Sequence, residues 1–169
     1  MPPHKPMVPF GCSVPTRVET TTFVLRPLRF ADAEADYEAW STSIKELRGT
    51  FGPESNWPAR EMTLEDNALD LAWHQREHES RASFAYTVVD TEDMFCLGCV
   101  HLSPARKVGF EVEVYYWARA GGGPLGLEQT LGNFVREWVR DAWPLDGVVY
   151  PGREVDWDAY LALPDSPHW

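Results

Sequence analysis

The spacing of apolar residues changes period several times along the chain, and each change marks an element. Residues 20–26 are rich in Thr, Val and Phe and read as a strand, which Pro27 limits. Asp32 is a good N-cap for a helix reaching about Leu47, with Ala33, Tyr37, Trp40, Ile44 and Leu47 as its apolar stripe. A loop rich in Gly and Pro covers 49–60. Thr63 and Asp66 then form a box-like cap for a second helix, which carries Leu64, Ala68, Leu71 and Ala72 and ends near Ser80. Residues 83–90 and 95–102 read as two strands joined by the turn 91–93, a hairpin. Beyond a polar loop at 103–108, the pattern over 110–118 alternates. Phe110, Val112, Val114 and Tyr116 share one face, and Glu111, Glu113, Tyr115 and Trp117 share the other.

From Leu127 the period turns helical, with Leu127, Leu131, Phe134, Val135, Trp138 and Ala142 on one side. Between this strand and helix lie Gly121, Gly122, Gly123, Pro124 and Gly126. Pro124 or its neighbours suit the opening of the helix, where the first turn needs no donor. A strand, a glycine-rich loop and a helix in that order leave backbone N–H groups free at the positive end of a helix dipole. That is a general seat for phosphate or pyrophosphate, and equally the form of a turn that binds nothing. A short strand at 147–150 is expected to return beside the 110–118 strand through a right-handed crossover. A short helix around 157–163 follows. The elements describe an α+β fold with α/β/α-like layers: a mixed, mostly antiparallel central sheet flanked by helices. Residues 1–19, held by prolines, read as an irregular arm, and 20–169 as one domain.

The length of 169 residues and the 44% hydrophobic content suit a single domain with a substantial core. The net charge of −11 argues against nucleic acid and anionic membrane surfaces as partners and permits a cationic one. No apolar run is long enough to span a bilayer, and the proline-rich start lacks the apolar core of a signal peptide. With three Cys and no export signal, the expectation is a cytoplasmic protein with reduced thiols.

Several motifs, taken in order, resemble the GCN5-related N-acetyltransferase superfamily, in particular its ribosomal-protein and antibiotic acetyltransferase branch. Phe23-Val-Leu-Arg-Pro-Leu-Arg-Phe-Ala-Asp-Ala33 is similar to that branch's first strand and helix entry. Leu97-Gly98-Cys99-Val100 resembles its third-strand pattern, and Val112-Glu113-Val114-Tyr115-Tyr116-Trp117 its fourth strand. The resemblance covers roughly 20–150. It implies the GNAT-like acyl-CoA acyltransferase fold, acetyl-CoA as co-substrate, and a primary amine of a small molecule or peptide as acceptor. It also implies that the fourth strand splays from the fifth, so that Tyr116, Trp117 and Ala118 grip the pantetheine arm through their backbone. Arg119, Gly121, Gly122, Gly123 and Gly126 fall at the pyrophosphate loop, although no alignment of these residues satisfies the family's whole pattern and Pro124 removes one N–H donor. The family's C-terminal hairpin has no counterpart in the residues that follow 152. Tyr160 lies there, and no motif assigns it the leaving-group role of the family's tyrosine.

Acetyl transfer needs a neutral amine, so a base must take the ammonium proton. The resemblance points to Glu113, with Glu111 two residues away on the same face to share or replace it. A solvated strand face or an ion pair with a nearby Arg is the structural alternative. The oxyanion would be held by a backbone N–H of the splayed strand. Trp40, Trp57 and Tyr37 are candidates for an acceptor cleft.

Two other patterns carry less weight. His74 and His78, in His-Gln-Arg-Glu-His, share a helix face with zinc-ligand spacing but lack a recognisable third ligand, and no metal is expected. Cys96 and Cys99 point to opposite faces of a regular strand and cannot meet without a bulge. The leading expectation is therefore an acetyl-CoA-dependent N-acetyltransferase, compatible with a homodimer. The alternatives are a family member that binds an acyl-CoA or another ligand without turnover, and a zinc hydrolase.

Overall fold

The structure, a computed structural model, describes residues 5–167. Residues 1–4 and 168–169, the outer ends of the arm and the tail, lie outside the described residues. Six strands form one sheet in the order β1-β2-β3-β4-β5-β6: β1 (Val18–Glu19), β2 (Val24–Pro27), β3 (Phe84–Val89), β4 (Cys96–Pro104), β5 (Val112–Ala118) and β6 (Val148–Val149). The first five pair antiparallel, and β6 pairs parallel to β5. The chain thus forms the expected mixed, mostly antiparallel sheet. The helices are α1 (Ala33–Ser41), α2 (Ile44–Leu47), α3 (Leu64–Ser80), α4 (Leu127–Ala142) and α5 (Trp157–Leu161).

Helices cover both sheet faces, which explains why every residue of β5 is buried. Val112, Val114, Tyr116 and Ala118 join the core under α4, together with Leu131, Val135 and Trp138. Trp117 joins a second core with Trp40 of α1, Leu71 of α3, and Cys96 and Cys99 of β4. The arm lies across the first core. Val8 is fully buried, Met7 N–H donates to Arg81 O, and Tyr86 Oη donates to Pro15 O.

Three local expectations change. First, β1 was not anticipated; it pairs only with Val24 and Leu25, so Pro27 meets β3 on one side and carries its missing donor past the end of β1. Second, the helix expected over 32–47 breaks at Thr42 and Ser43. Thr42 Oγ1 donates to Glu38 O and Ala39 O, a side-chain competition that ends the helical run. The break turns buried Ser43 towards Ala120, whose N–H donates to Ser43 Oγ at 2.9 Å, tying α2 to the base of the glycine loop. Third, β4 is bulged: Val88 pairs with Gly98 and Val89 with Cys96, skipping Leu97. That extra residue puts Cys96 and Cys99 in one core instead of on opposite faces. Both are free, and burial pushes both thiols up, which makes them poor nucleophiles.

The Thr63–Asp66 cap of α3 forms as read: Asp66 N–H donates to Thr63 Oγ1 at 3.1 Å and Thr63 N–H to Asp66 Oδ2 at 2.9 Å. On the buried side of α3, however, Leu71 is joined by Asn67, and Leu64 is partly exposed. No helix among the described residues is long and apolar enough to cross a membrane.

Candidate active site

The sheet opens at one edge of β5. Arg119 N–H donates to Leu97 O, and Val112 N–H donates to Gly147 O. By strand alternation, odd-numbered residues of β5 aim their main-chain groups at β4 and even-numbered ones at the β6 side. But β6 matches only Val112 and Glu113 before Pro151 ends it. The main chain of Tyr116 and Ala118 therefore faces a seam with no strand opposite. Beyond it a cleft of about 730 Å³ runs along 46–50, the loop 119–126, the start of α4 and 151–153. Gly122 and Gly126 have φ of 78° and 69°, a left-handed conformation that favours glycine. Pro124 lies three residues before α4 begins, and Gly126 occupies the N-cap.

Two arginines occupy this region in ways the sequence did not announce. Arg119 lines the cleft, but its guanidinium is spent on Glu38, at 2.7 Å to each oxygen, and on the carbonyls of Cys96 and Gly121. Arg153 enters the seam. It donates to Tyr116 O at 2.9 Å and to Glu128 at 3.0 Å, and its guanidinium lies 3.7 Å over the Tyr116 ring. Glu128 sits in the first turn of α4, where its charge competes with any anion drawn to that helix end.

On the other side of β5 lies a cavity of about 370 Å³. Its floor comes from cross-strand pairs of β4 and β5: Cys99 with Trp117, His101 with Tyr115, and Ser103 with Glu113. Phe51 and Trp57 cover it from the loop after α2, and Asp36, Asn67, Asp70 and His74 wall it from α1 and α3. Trp117 lines both this cavity and the cleft, so the two meet at the end of β5. Among the aromatic residues considered for a cleft, Trp57 lines the cavity. Trp40 is sealed in the core with its indole N–H on Asn67, and Tyr37 packs against Trp40.

Glu113 is 4% exposed and firmly held. It accepts from Arg106 Nε at 3.0 Å, from Arg106 N–H at 3.2 Å and from Tyr160 Oη at 2.5 Å. Arg106 also donates to Tyr115 Oη, and Trp157 stacks on Tyr115 at 6.1 Å with the rings 9° apart. The C-terminal segment therefore reaches the site: Tyr160 of α5 is fully buried against Glu113. Glu111 is placed differently. It precedes β5, is exposed, and binds Gly147 through its N–H, so the two carboxylates expected together do not share the cavity.

Asp36 has the opposite environment. It is 4% exposed on α1, and Asn67 Nδ2 donates to its Oδ2 at 3.0 Å. Asn67 is itself fixed, donating to Ala33 O and accepting from Trp40 Nε1. Asp36 Oδ1 has no hydrogen-bond partner among the described residues. Burial, opposed by the Asn67 bond and reinforced by Asp70, pushes the Asp36 carboxyl up to about 7. His101 is 9% exposed, and its ring nitrogens have no hydrogen-bond partner among the described residues. Burial pushes it down to about 3, so the ring is neutral. His74 pairs with Asp70 at 3.5 Å and stands 4.9 Å from the His101 ring, whereas His78 binds Ala85 O. The two histidines of the zinc-like pattern thus have separate partners, and no three His, Cys, Asp or Glu side chains among the described residues are grouped to hold a metal.

Asp36 and Asn67 escaped the sequence reading although a signal was present. Each sits on its helix's apolar stripe, three residues after one apolar member and four before another: Ala33 and Trp40, Leu64 and Leu71. A polar residue on the buried stripe of each of two helices is a sign that they face one another. Arg106, Arg153 and the placement of Tyr160 carry no such local mark.

No protein-family model matches the chain, and no curated sequence matches it. Solved structures do. The chain is similar to a ribosomal-protein-S5-alanine acetyltransferase from Vibrio fischeri, with 19% identity, a TM-score of 0.62, and 88% of this chain and 81% of that one covered. It is similar to an acetyltransferase from Agrobacterium tumefaciens, with 21% identity, a TM-score of 0.55, and 82% and 74% covered. It is also similar to a ribosomal L7/L12 alpha-N-protein acetyltransferase solved in complex with coenzyme A, with 14% identity, a TM-score of 0.56, and 73% and 68% covered.

Proposed function

We propose that this chain, which has the fold of the GCN5-related N-acetyltransferases, transfers an acetyl group from acetyl-CoA to a primary amine. The observation that carries the reading is the open seam beside Tyr116 and Ala118, which adjoins a glycine loop at the start of α4 and meets a separate cavity at Trp117. Acetyl-CoA would supply an activated thioester carbonyl. The seam's unpaired main-chain groups fit the amides of a pantetheine arm, and Tyr116 O already accepts a donor there from Arg153. The loop 121–126 and the free N–H groups of the first turn of α4 fit a pyrophosphate. Arg119 contributes to that seat as the brace that shapes the loop, since its guanidinium is committed to Glu38, Cys96 O and Gly121 O. The acceptor amine enters the cavity on the far side of Trp117. Glu113, proposed from the sequence as the base, has three donors on its two oxygens. It holds Arg106 in the cavity wall and ties Tyr160 of α5 behind it.

A second reading has one specific observation behind it. Arg153 takes the Tyr116 carbonyl from a pantetheine arm and Glu128 repels a pyrophosphate at the helix start, so an acyl-CoA would be held off the strand that presents it for transfer, which suits a module that binds without turnover. Calorimetry with acetyl-CoA and an assay for released thiol separate the two. Micromolar binding with thiol release in the presence of amines supports the transferase, binding alone across an amine panel supports the module, and no binding ends both. Glu128→Gln removes a negative charge from the helix end and unties Arg153. It should tighten acetyl-CoA binding roughly 2- to 5-fold, the equivalent of about 0.3–1 kcal/mol for one charge at a helix terminus. A weaker Kd in calorimetry would show that no phosphate lies there.

A further inference from the structure

Two polar side chains that line the cavity behind Trp117 keep an atom with no hydrogen-bond partner among the described residues. One is Oδ1 of Asp36. The other is the neutral imidazole of His101. Polar atoms left open in a largely apolar cavity mark where a ligand can supply the missing bonds. Most of the remaining lining is apolar or already paired, Glu113 with Arg106 and Asp70 with His74. Phe51, Trp57, Tyr115 and Trp117 supply aromatic lining. The Phe51 ring lies 5.1 Å from Trp57 and 5.3 Å from Tyr115, and Trp57 lies 5.6 Å from Trp117. Aromatic faces beside a carboxylate attract an alkylammonium group. The volume of about 370 Å³ falls at the small end of ligand pockets.

We infer that Asp36 receives the acceptor's ammonium group and takes its proton, and that the acceptor is a compact primary amine with an apolar or aromatic body, held under Phe51 and Trp57. The inference rests on the transferase reading and adds to it the acceptor class and the base. Asn67 occupies Oδ2 and leaves Oδ1 without a partner in a carboxylate that lines the cavity together with Cys99 and Trp117, and Trp117 also lines the cleft. Glu113 lacks this freedom.

Atoms and charges balance as follows. The ammonium gives one proton to Asp36 Oδ1 and becomes a neutral amine. Its lone pair forms the C–N bond to the thioester carbonyl carbon, the C–S bond breaks, and its electron pair stays on sulfur. The nitrogen's surplus proton passes to the thiolate, and Asp36 returns its own proton to solvent. The amide, the free thiol and one proton are the products. Removal from water favours a neutral acid and a neutral amine over their ions, so an apolar cavity assists the first transfer.

The test uses the full chain with acetyl-CoA and two amines of one shape: 2-phenylethylamine and 2,2-difluoro-2-phenylethylamine, whose fluorines leave it largely neutral at the assay pH. A peptide with a free N-terminal alanine serves as the bulky competitor. Asp36→Asn should lower kcat/KM for 2-phenylethylamine by roughly 10²- to 10⁴-fold, the usual contribution of a general base. It should lower that for the difluoro amine far less, because no proton has to be removed first, and should leave the Kd for acetyl-CoA unchanged. Equal losses for both amines would reduce Asp36 to a structural part, and a loss below about twofold would exclude it altogether. A wild-type preference for the peptide would overturn the acceptor class. If the wild type releases thiol with none of the three amines, the transferase reading fails first and this inference falls with it.

Discussion

Asp36→Asn should make the protein more stable at pH 8, by about 4 kcal/mol, while removing its activity towards basic amines. The sign follows from the protons bound in each state. Burial raises the Asp36 carboxyl from an unfolded value of 3.8 to about 7 in the folded chain. Between those values the folded protein holds a proton that the unfolded chain has released, so stability falls as pH rises through that window. Above it the whole cost is present, and the rise from 3.8 to about 7 corresponds to about 4 kcal/mol. Asn keeps the shape, accepts the Asn67 bond through its amide oxygen, and carries no charge to desolvate. The gain over wild type should therefore shrink to less than half by about pH 5, where the folded wild type is protonated. Taking the difference between variant and wild type cancels the other titrating groups. The neighbours facing Asp36 are Asn67, Asp70 and His74 of α3, Asp32 at the start of α1, and Cys96 and Cys99 of β4. Denaturant unfolding at the two pH values measures the gain directly. A flat difference would mean that Asp36 is hydrated through the cavity and titrates as an ordinary carboxyl. A variant that is more stable and less active also answers the objection that lost turnover reflects lost folding.

Gly98→Ala should have the largest effect in the opposite direction. A Cβ at Gly98 would lie 2.1 Å from the carbonyl oxygen of Trp117 and 3.2 Å from Cα of Ala118. Both are backbone atoms in a paired strand, so no rotamer change relieves the contact. Either β4 and β5 separate where Trp117 joins the two cavities, or the bulge at Leu97 rearranges. A clash of this kind costs roughly 3 kcal/mol or more, and in a chain of this size it should lower Tm by roughly 6–12 °C. Acetyl-CoA binding should weaken in parallel, because a displaced β5 also moves the Tyr116 and Ala118 main chain that faces the seam. Unchanged Tm with weakened binding would mean that the strands part locally and the core absorbs the strain.

Much of the architecture was readable because its causes are local. Strand alternation over 110–118, the helical period from Leu127 and the Thr63–Asp66 cap each need only neighbouring residues, and each forms as its pattern indicates. The parallel return of β6 beside β5 was readable too, since a strand that follows a helix has few other places to go. The single helix expected over 32–47 failed for an equally local reason, the hydroxyl of Thr42, which competes for the Glu38 and Ala39 carbonyls.

The site was less legible. Strand alternation put Glu113, Tyr115 and Trp117 on one face, and they do line one cavity. It put Glu111 there as well, but β5 begins one residue later and Gly147 holds the Glu111 backbone outside it. Arg119 stood at the expected loop, yet a guanidinium goes to the nearest carboxylate, and α1 brings Glu38 within 2.7 Å. Arg153 and Tyr160, on the segment after β6, reach Tyr116 and Glu113 across 37 and 47 positions of sequence.

The sequence by itself determined the order of the elements, the two faces of β5 and the glycine loop before α4, because propensity, period and capping act within a few residues. Only the tertiary structure decided which polar groups would lack water and which would find partners. Asp36 and Glu113 are both carboxylates on largely apolar elements. One is left with a free oxygen by the packing of α1 against α3, and the other is claimed by a loop arginine and a tyrosine from the tail. Desolvation depends on what lies a few ångströms away in space, and spacing along the chain does not report that.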